Sequence, residues 1–170
     1  MKPGLESLNS LGRDEAAAQL LKCCGSSRWA ERMAALRPFK GMDELLEAAD
    51  RVWSELETRD WLEAFSSHPK IGERKAALAQ SAEAARWSEQ EQAGTRDAAQ
   101  GSLLELAALN RVYEERFGFI YIVCATGRTT EELLALLRER LSNDVETELR
   151  VAAREQQRIT RLRLGKLFEE

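Results

Sequence analysis

One histidine, three cysteines and three prolines in 170 residues leave this chain few of the common chemical tools. Cys23 and Cys24 are adjacent and Cys124 lies far away, so no pair has the Cys-x-x-Cys spacing of a zinc or redox motif. The odd count argues against a disulfide framework. With one imidazole and no paired thiols, a zinc site of common type is not expected, and no other metal or organic cofactor is implied. The sequence lacks Gly-x-Gly-x-x-Gly, Gly-x-x-x-x-Gly-Lys-[Ser/Thr] and Gly-x-Ser-x-Gly, which removes the usual phosphate cradles and the nucleophile elbow. An excess of basic residues is also missing: 25 Lys and Arg face 29 Asp and Glu, a net charge of −4 with the two signs interspersed, so nucleic acid is not an expected partner. No apolar run approaches the length that spans a bilayer, and Met1-Lys2-Pro3-Gly4-Leu5-Glu6 lacks the apolar core of a signal peptide. A cytoplasmic, bacterial-type protein without a membrane partner is expected.

What is present is a mixed composition, 44% hydrophobic and 32% charged, undivided by any Gly-, Ser- or Pro-rich linker. It suits one globular domain over residues 1–170. Arg13 to Cys23 is Ala-rich and predicts a helix stopping at Gly25, and Arg28 to Leu36 predicts a second, ended by Pro38. Leu45, Leu46, Ala49, Val52, Trp53 and Leu56 recur at helical spacing over Met42 to Leu56, an apolar stripe that should face a core. Trp61, Leu62 and Phe65 continue that spacing. Arg74 to Ala85 is expected to be partly helical, and Ser88 to Arg116 reads as one long helical pattern. Phe119 to Ala125 is the one β-prone run, expected to be helical or irregular and buried. Thr129 with Glu132 is a capping-box signature for a helix through Leu141, and Asn143 with Glu146 repeats it for a last helix to about Leu167. The fold class is all-α, a single-domain helical bundle.

His68 lies in Ser66-Ser67-His68-Pro69-Lys70-Ile71-Gly72, a loop bounded by Pro and Gly between helical segments. A side chain that titrates near neutral pH, presented on a loop by a rigid neighbour, is suited to general acid/base chemistry. It could equally close a turn. Ser88 stands three residues before Glu91, which fits either a site or a capping box at the start of a helix. Arg161 and Arg163 fit a ligand contact or an ordinary charged helix face.

Four segments in order carry more than any one of them: His68-Pro69-Lys70-Ile71-Gly72-Glu73-Arg74, Ser88-x-x-Glu91-Gln92-Ala93-Gly94, Leu109-Asn110-x-x-Tyr113-x-x-Arg116-Phe117-Gly118, and Val123-Cys124-Ala125-x-Gly127-Arg128. Together they resemble the 2-oxo-4-hydroxy-4-carboxy-5-ureidoimidazoline (OHCU) decarboxylases of urate breakdown. Leu8-Asn9, Cys24-Gly25-Ser26, Trp29 and Arg37-Pro38-Phe39 also fit, so the resemblance spans nearly the whole chain. It implies an all-helical, cofactor-independent and commonly dimeric enzyme that forms (S)-allantoin with loss of carbon dioxide.

The resemblance assigns the catalytic histidine to His68 and a paired acid and amide to Glu91 and Gln92. It implies substrate contacts from Pro69, Ser88, the segment Ile122, Val123, Cys124 and Ala125, and a C-terminal arginine that best matches Arg163, with Arg161 two residues away. Two departures stand out. Lys70 replaces a common Asp or Arg, and Phe117-Gly118-Phe119-Ile120-Tyr121 replaces Phe-Gly-Phe-Pro-Phe, restoring a backbone N–H and a free φ at Ile120. The end Leu167-Phe168-Glu169-Glu170 is no peroxisomal signal. The rival reading is a helical ligand-binding or protein-interaction module with a decayed site, against which His68, Glu91 and Gln92 stand intact and in order.

Overall fold

The computed structural model describes residues 4–69 and 100–168 of the chain. Eight helices and no strand occur among them, as an all-α chain requires: α1 (Leu5–Ser10), α2 (Arg13–Leu21), α3 (Ser27–Ala35), α4 (Met42–Ser54), α5 (Thr58–Ser66), α6 (Gln100–Phe117), α7 (Thr130–Arg140) and α8 (Val145–Phe168). The helix expected over 74–85 and the expected start of the long helix at Ser88 lie outside the described residues. The chain divides into two compact units, one of Met1–Ala64 with Gln157–Glu170, the other of Phe65–Gln156. Both α5 and α8 contribute residues to each unit.

In the first unit α1 packs on α2, α2 on α3 and α3 on α4. Trp29, Ala30, Met33 and Ala34 of α3 and Leu45, Ala48, Ala49, Val52 and Trp53 of α4 are buried, each set repeating at three or four residues along its helix. Fully burying each large side chain is worth about 1.5–3 kcal/mol. Polar atoms in this core are matched. The Trp29 indole N–H donates to Ala49 O at 3.2 Å, and the first turn of α3 is satisfied twice over. Ser26 Oγ accepts from Trp29 N–H at 3.2 Å, while Ser27 N–H and Oγ–H donate to the Glu63 carboxylate at 2.9 and 2.8 Å.

Two helix ends differ from the sequence pattern. The helix α1 has no periodic signal, yet Arg37 Nη1 donates to Leu8 O and Leu11 O, both at 2.7 Å. The Asn9 amide donates to Phe39 O at 2.8 Å and accepts from Phe39 N–H at 2.9 Å. Residues 26 to 30 positions away thus hold a six-residue helix that would not persist in isolation. The helix α2 ends at Leu21 rather than reaching Gly25, because Cys23 and Cys24 N–H both turn back to Leu20 O as their thiols bury.

In the second unit α6 packs on α7. The helix α6 stops where Gly118 adopts φ 82°, a left-handed conformation that glycine takes without steric cost, with its N–H donating to Glu114 O at 2.8 Å. Residues 119–125 then run without regular structure and mostly buried, one of the two expected forms. The capping box at α7 is present: Thr129 Oγ1 accepts from Glu132 N–H and the Glu132 carboxylate from Thr129 N–H, each at 3.2 Å. The expected box of Asn143 with Glu146 at α8 is not formed. Asp144 Oδ1 accepts from Thr147 N–H at 2.7 Å instead, bonding that holds the Asp144 carboxyl below the usual range. Asn143 is drawn away to donate to Glu148 Oε2 at 3.0 Å, because a buried carboxylate needs donors more than an exposed helix end does.

Candidate active site

His68 follows the last turn of α5, in the second unit. Phe65, buried at 1% exposure, sits with its ring centroid 5.4 Å from that of Phe119, which anchors the end of the helix. His68 N–H closes a tight turn on Phe65 O at 3.2 Å, and Pro69 is buried just beyond it. The imidazole is half-buried. Its Nε2 lies 2.5 Å from Oε1 of Gln156, a fully buried side chain of α8. His68 therefore closes a turn and also sets a ring nitrogen within hydrogen-bonding distance of Gln156.

The segment Ile122–Ala125 is held from below by a buried polar network. Arg140 Nη1 donates to Ile122 O at 2.7 Å and its Nε to Glu148 Oε1 at 2.6 Å. Tyr113 O–H also donates to Glu148 Oε1, and Tyr121 O–H donates to Leu133 O at 3.1 Å. The Arg140 guanidinium stacks 4.7 Å over the Tyr121 ring, while Phe117, Phe119 and Tyr121 surround Tyr113 at 4.6 to 5.9 Å between centroids. Burial pushes Tyr113 and Tyr121 up, Tyr121 to about 12, against the pull of Arg140. Arg140 is held above its ordinary value: burial works against its charge, and Tyr113 and Glu148 outweigh that.

Farther along the segment, Arg128 Nε donates to Cys124 O at 3.2 Å and Arg128 N–H to Ala125 O at 3.0 Å, across a turn in which Gly127 has φ 76°. The carbonyls of Ile122, Cys124 and Ala125 are thus engaged inside their own unit.

Arg163 belongs to the first unit and is 3% exposed. Around it the Cys24 thiol is pushed up to about 11 by burial; a backbone bond at Ser26, the Thr160 side chain and the Arg163 charge pull the other way, and Glu63 adds to the rise. Arg161 faces outward and pairs with Asp50, Nη1 to Oδ2 at 2.6 Å. The two arginines between which the sequence pattern did not choose have opposite surroundings. Ser88, Glu91 and Gln92 lie outside the described residues.

Gln156, Arg140 and Glu148 are absent from the sequence reading, and Tyr113 enters it only as a residue of one family segment. In a chain so rich in charge a glutamine or glutamate on a long helix reads as solvent-facing, and no short-range pattern signals its partner 88 residues away. Chemically, the second unit holds an oriented imidazole and a buried run of backbone braced by an arginine; the first holds a buried guanidinium. Among the described residues no group of three His, Cys, Asp or Glu side chains could hold a metal ion. No helix there is long and apolar enough to cross a membrane.

Comparison with known proteins bears on that chemistry. A family model described as OHCU decarboxylase matches residues 9–165. A uric acid degradation bifunctional protein of Arabidopsis thaliana is 40% identical over 87% of this chain and 46% of its own length. One from Bacillus subtilis is 31% identical over 98% of this chain and 33% of its own. The chain therefore spans less than half the length of these bifunctional relatives. A 2-oxo-4-hydroxy-4-carboxy-5-ureidoimidazoline decarboxylase of Haloferax volcanii is 31% identical over 96% of this chain and 95% of its own length. Among solved structures, an OHCU decarboxylase crystallised in the presence of (S)-allantoin superposes with a TM-score of 0.75 at 38% identity, covering 89% of this chain and 98% of that one. An (S)-allantoin synthase structure, 19% identical with a TM-score of 0.71, shares the fold.

Proposed function

For this chain, which belongs to the OHCU decarboxylase family, we propose the corresponding reaction: decarboxylation of 2-oxo-4-hydroxy-4-carboxy-5-ureidoimidazoline to (S)-allantoin in urate catabolism. The match across residues 9–165 carries the reading, since it runs through both units and includes His68, the segment Ile122–Ala125 and Arg163. The whole of 1–170 then works as one catalytic domain.

The substrate bears a carboxylate and a hydroxyl on one ring carbon, next to the carbon that carries the ureido group. Breaking the bond to the carboxylate releases carbon dioxide and leaves an electron pair that spreads onto the adjoining C=N unit. The hydroxyl gives up its proton as its carbon becomes a carbonyl, and a proton is delivered to one face of the neighbouring carbon. The ring is its own electron sink, so pyridoxal phosphate, thiamine or a metal is not required for this step.

In this reading His68 manages the hydroxyl proton with Glu91 as its carboxylate partner, and Gln92 reads the ureido or ring amide with its paired donor and acceptor. Pro69 and Ser88 border the substrate, and N–H groups of Ile122, Val123, Cys124 and Ala125 bind its oxygens. Arg163 meets negative charge with a planar fork of donors. A grip on the departing carboxylate would stabilise the ground state, so the ring carbonyl is the better target for that arginine. The enzyme is further proposed to act as a cytoplasmic homodimer, which sedimentation of the purified protein checks.

The test is a coupled assay. Freshly oxidised urate, processed by the preceding hydrolase, should lose its ultraviolet absorbance faster with this protein present, yield a single allantoin enantiomer by circular dichroism and do so in the presence of chelators. His68→Asn and Glu91→Ala should each lower turnover by roughly 10²-fold or more in folded protein. Their double variant should lose less than the product of the two, because the groups act as a unit. Absence of any acceleration by the wild-type protein rejects the reading in favour of a binding module.

A further inference from the structure

The peptide between Ile122 and Val123 is gripped at its carbonyl by a buried guanidinium. Both residues are buried, and Ile122 O accepts from Arg140 Nη1 at 2.7 Å. The other two nitrogens of Arg140 hold the guanidinium in place. Nε donates to Glu148 Oε1 at 2.6 Å, Nη2 lies 2.5 Å from the same oxygen and donates to the Tyr113 hydroxyl oxygen at 3.3 Å, and the group stacks 4.7 Å over the Tyr121 ring. A planar fork engaged in this way presents Nη1 in one direction. The Ile122–Val123 peptide is trans, so its C=O and N–H lie antiparallel in one plane. Holding the carbonyl on Arg140 therefore turns the Val123 N–H the opposite way, away from the guanidinium and from the Glu148 and Tyr113 oxygens bound to it. A cation on the carbonyl oxygen also polarises the peptide, which makes its N–H a stronger donor.

We propose that Arg140 is a positioning residue for substrate binding: through Ile122 O it aims and polarises the Val123 N–H that meets a substrate oxygen. The inference rests on the decarboxylase reading, which sets that N–H against the substrate. Arg140 itself touches no reacting atom. A hydrogen bond made alike to bound substrate and to the transition state tightens binding without speeding the chemical step, so its loss shows in KM rather than in kcat.

Arg140→Lys tests this, because an ammonium keeps the charge beside Glu148 but has no fork with which to serve Ile122 O as well. In the full-length protein it should raise KM about fivefold or more and leave kcat within about threefold. A substitution that merely loosens the fold removes active enzyme, which lowers kcat at unchanged KM; that result overturns the proposal. Tyr121→Phe is the control. It deletes the hydroxyl bonded to Leu133 O at 3.1 Å and leaves Arg140 on Ile122 O, so it should lower the urea midpoint without moving KM. A KM raised as much there as in Arg140→Lys also overturns the proposal. In proton–nitrogen correlation spectra of the ¹⁵N-labelled wild-type protein, (S)-allantoin should move the Val123 amide proton downfield, and at saturation the shift should be smaller in Arg140→Lys. A Val123 amide unmoved in the wild type rejects the contact. If Arg140→Lys fails to fold, Arg140→Met combined with Glu148→Leu, which leaves no uncompensated charge, takes its place with the same expected rise in KM. A wild-type protein without turnover rejects the functional reading and the proposal with it, whereas an active wild type with unchanged KM in the Arg140 variant rejects the proposal alone.

Discussion

Arg161 and Arg163 stand two positions apart on α8, about 200° around its axis, and that angle separates their fates. Arg161 lies at the surface in an ion pair with Asp50 of a kind worth little in solvent, whereas Arg163 is buried near the Cys24 thiol and Thr160. A buried guanidinium is expensive to desolvate and is expected to do something that requires it. Arg163→Lys, which keeps the charge and loses the planar fork, should reduce kcat/KM by about tenfold or more, and Arg161→Lys should leave it within about twofold. Steady-state kinetics on purified variants with wild-type circular dichroism check this; the reverse ranking would transfer the substrate contact to Arg161. His68 was legible in the sequence because it is the only imidazole and sits between Ser67 and Pro69. Gln156 was not, because the hydrogen bond that gives it meaning joins residues 88 apart.

The segment from Phe119 to Ala125 is apolar enough to suit a strand or a buried helix, and it forms neither. Two of its carbonyls are taken by arginine side chains rather than by a repeating backbone ladder, with Arg140 on Ile122 O and Arg128 on Cys124 O. Irregular backbone can be buried when its polar atoms are matched in this way. Arg140 depends in turn on Glu148, whose carboxylate is fully buried and also accepts from Tyr113 and Asn143. Removing one member of such a pair strands the other. Arg140→Met is therefore expected to destabilise the protein by about 3–5 kcal/mol, while Arg140→Met combined with Glu148→Leu should recover much of that loss because no uncompensated charge remains. Urea unfolding of the two single variants and the double variant measures the coupling, and additive losses would refute it. The capping box at α7 was legible because its two residues are three apart, whereas the cap of α8 moved one residue, from Asn143 to Asp144, once Glu148 claimed the Asn143 amide.

Both tyrosines of the chain and the Cys24 thiol are buried acids whose proton affinity rises on folding. A group with its folded pKa above the unfolded value contributes stability that is complete below the unfolded pKa and is lost as pH climbs through the folded one. The unfolded thiol titrates near about 8.5 and the unfolded phenols near about 10. Cys24 folded titrates at about 11 and Tyr121 at about 12, with Tyr113 raised further. Stability should then fall from about pH 8.5 upward, first through the thiol and more steeply above about pH 10 through the phenols. Urea midpoints across alkaline pH test the slope. Tyrosinate absorbance should appear together with loss of helical circular dichroism; a tyrosinate signal rising by half its full amplitude in a still-helical protein would contradict the burial of both rings.

Helical periodicity, capping boxes and the order of family motifs are legible in this chain because each is a short-range property: side chains three or four residues apart share a face whatever lies beyond them. That was enough for an all-α fold, for the helix at Met42, for the capping box at Thr129 and for membership of a decarboxylase family, and it singled out His68. Other features depend on atoms brought together from distant positions. The survival of α1 rests on Arg37, the irregular course after Gly118 on Arg140, the contrast between Arg161 and Arg163 on what each side chain meets, and the contact of the His68 ring on Gln156. Burial removes water as an alternative partner, so each buried donor or acceptor must find a mate across the fold, and no local pattern of residues says which one it will be.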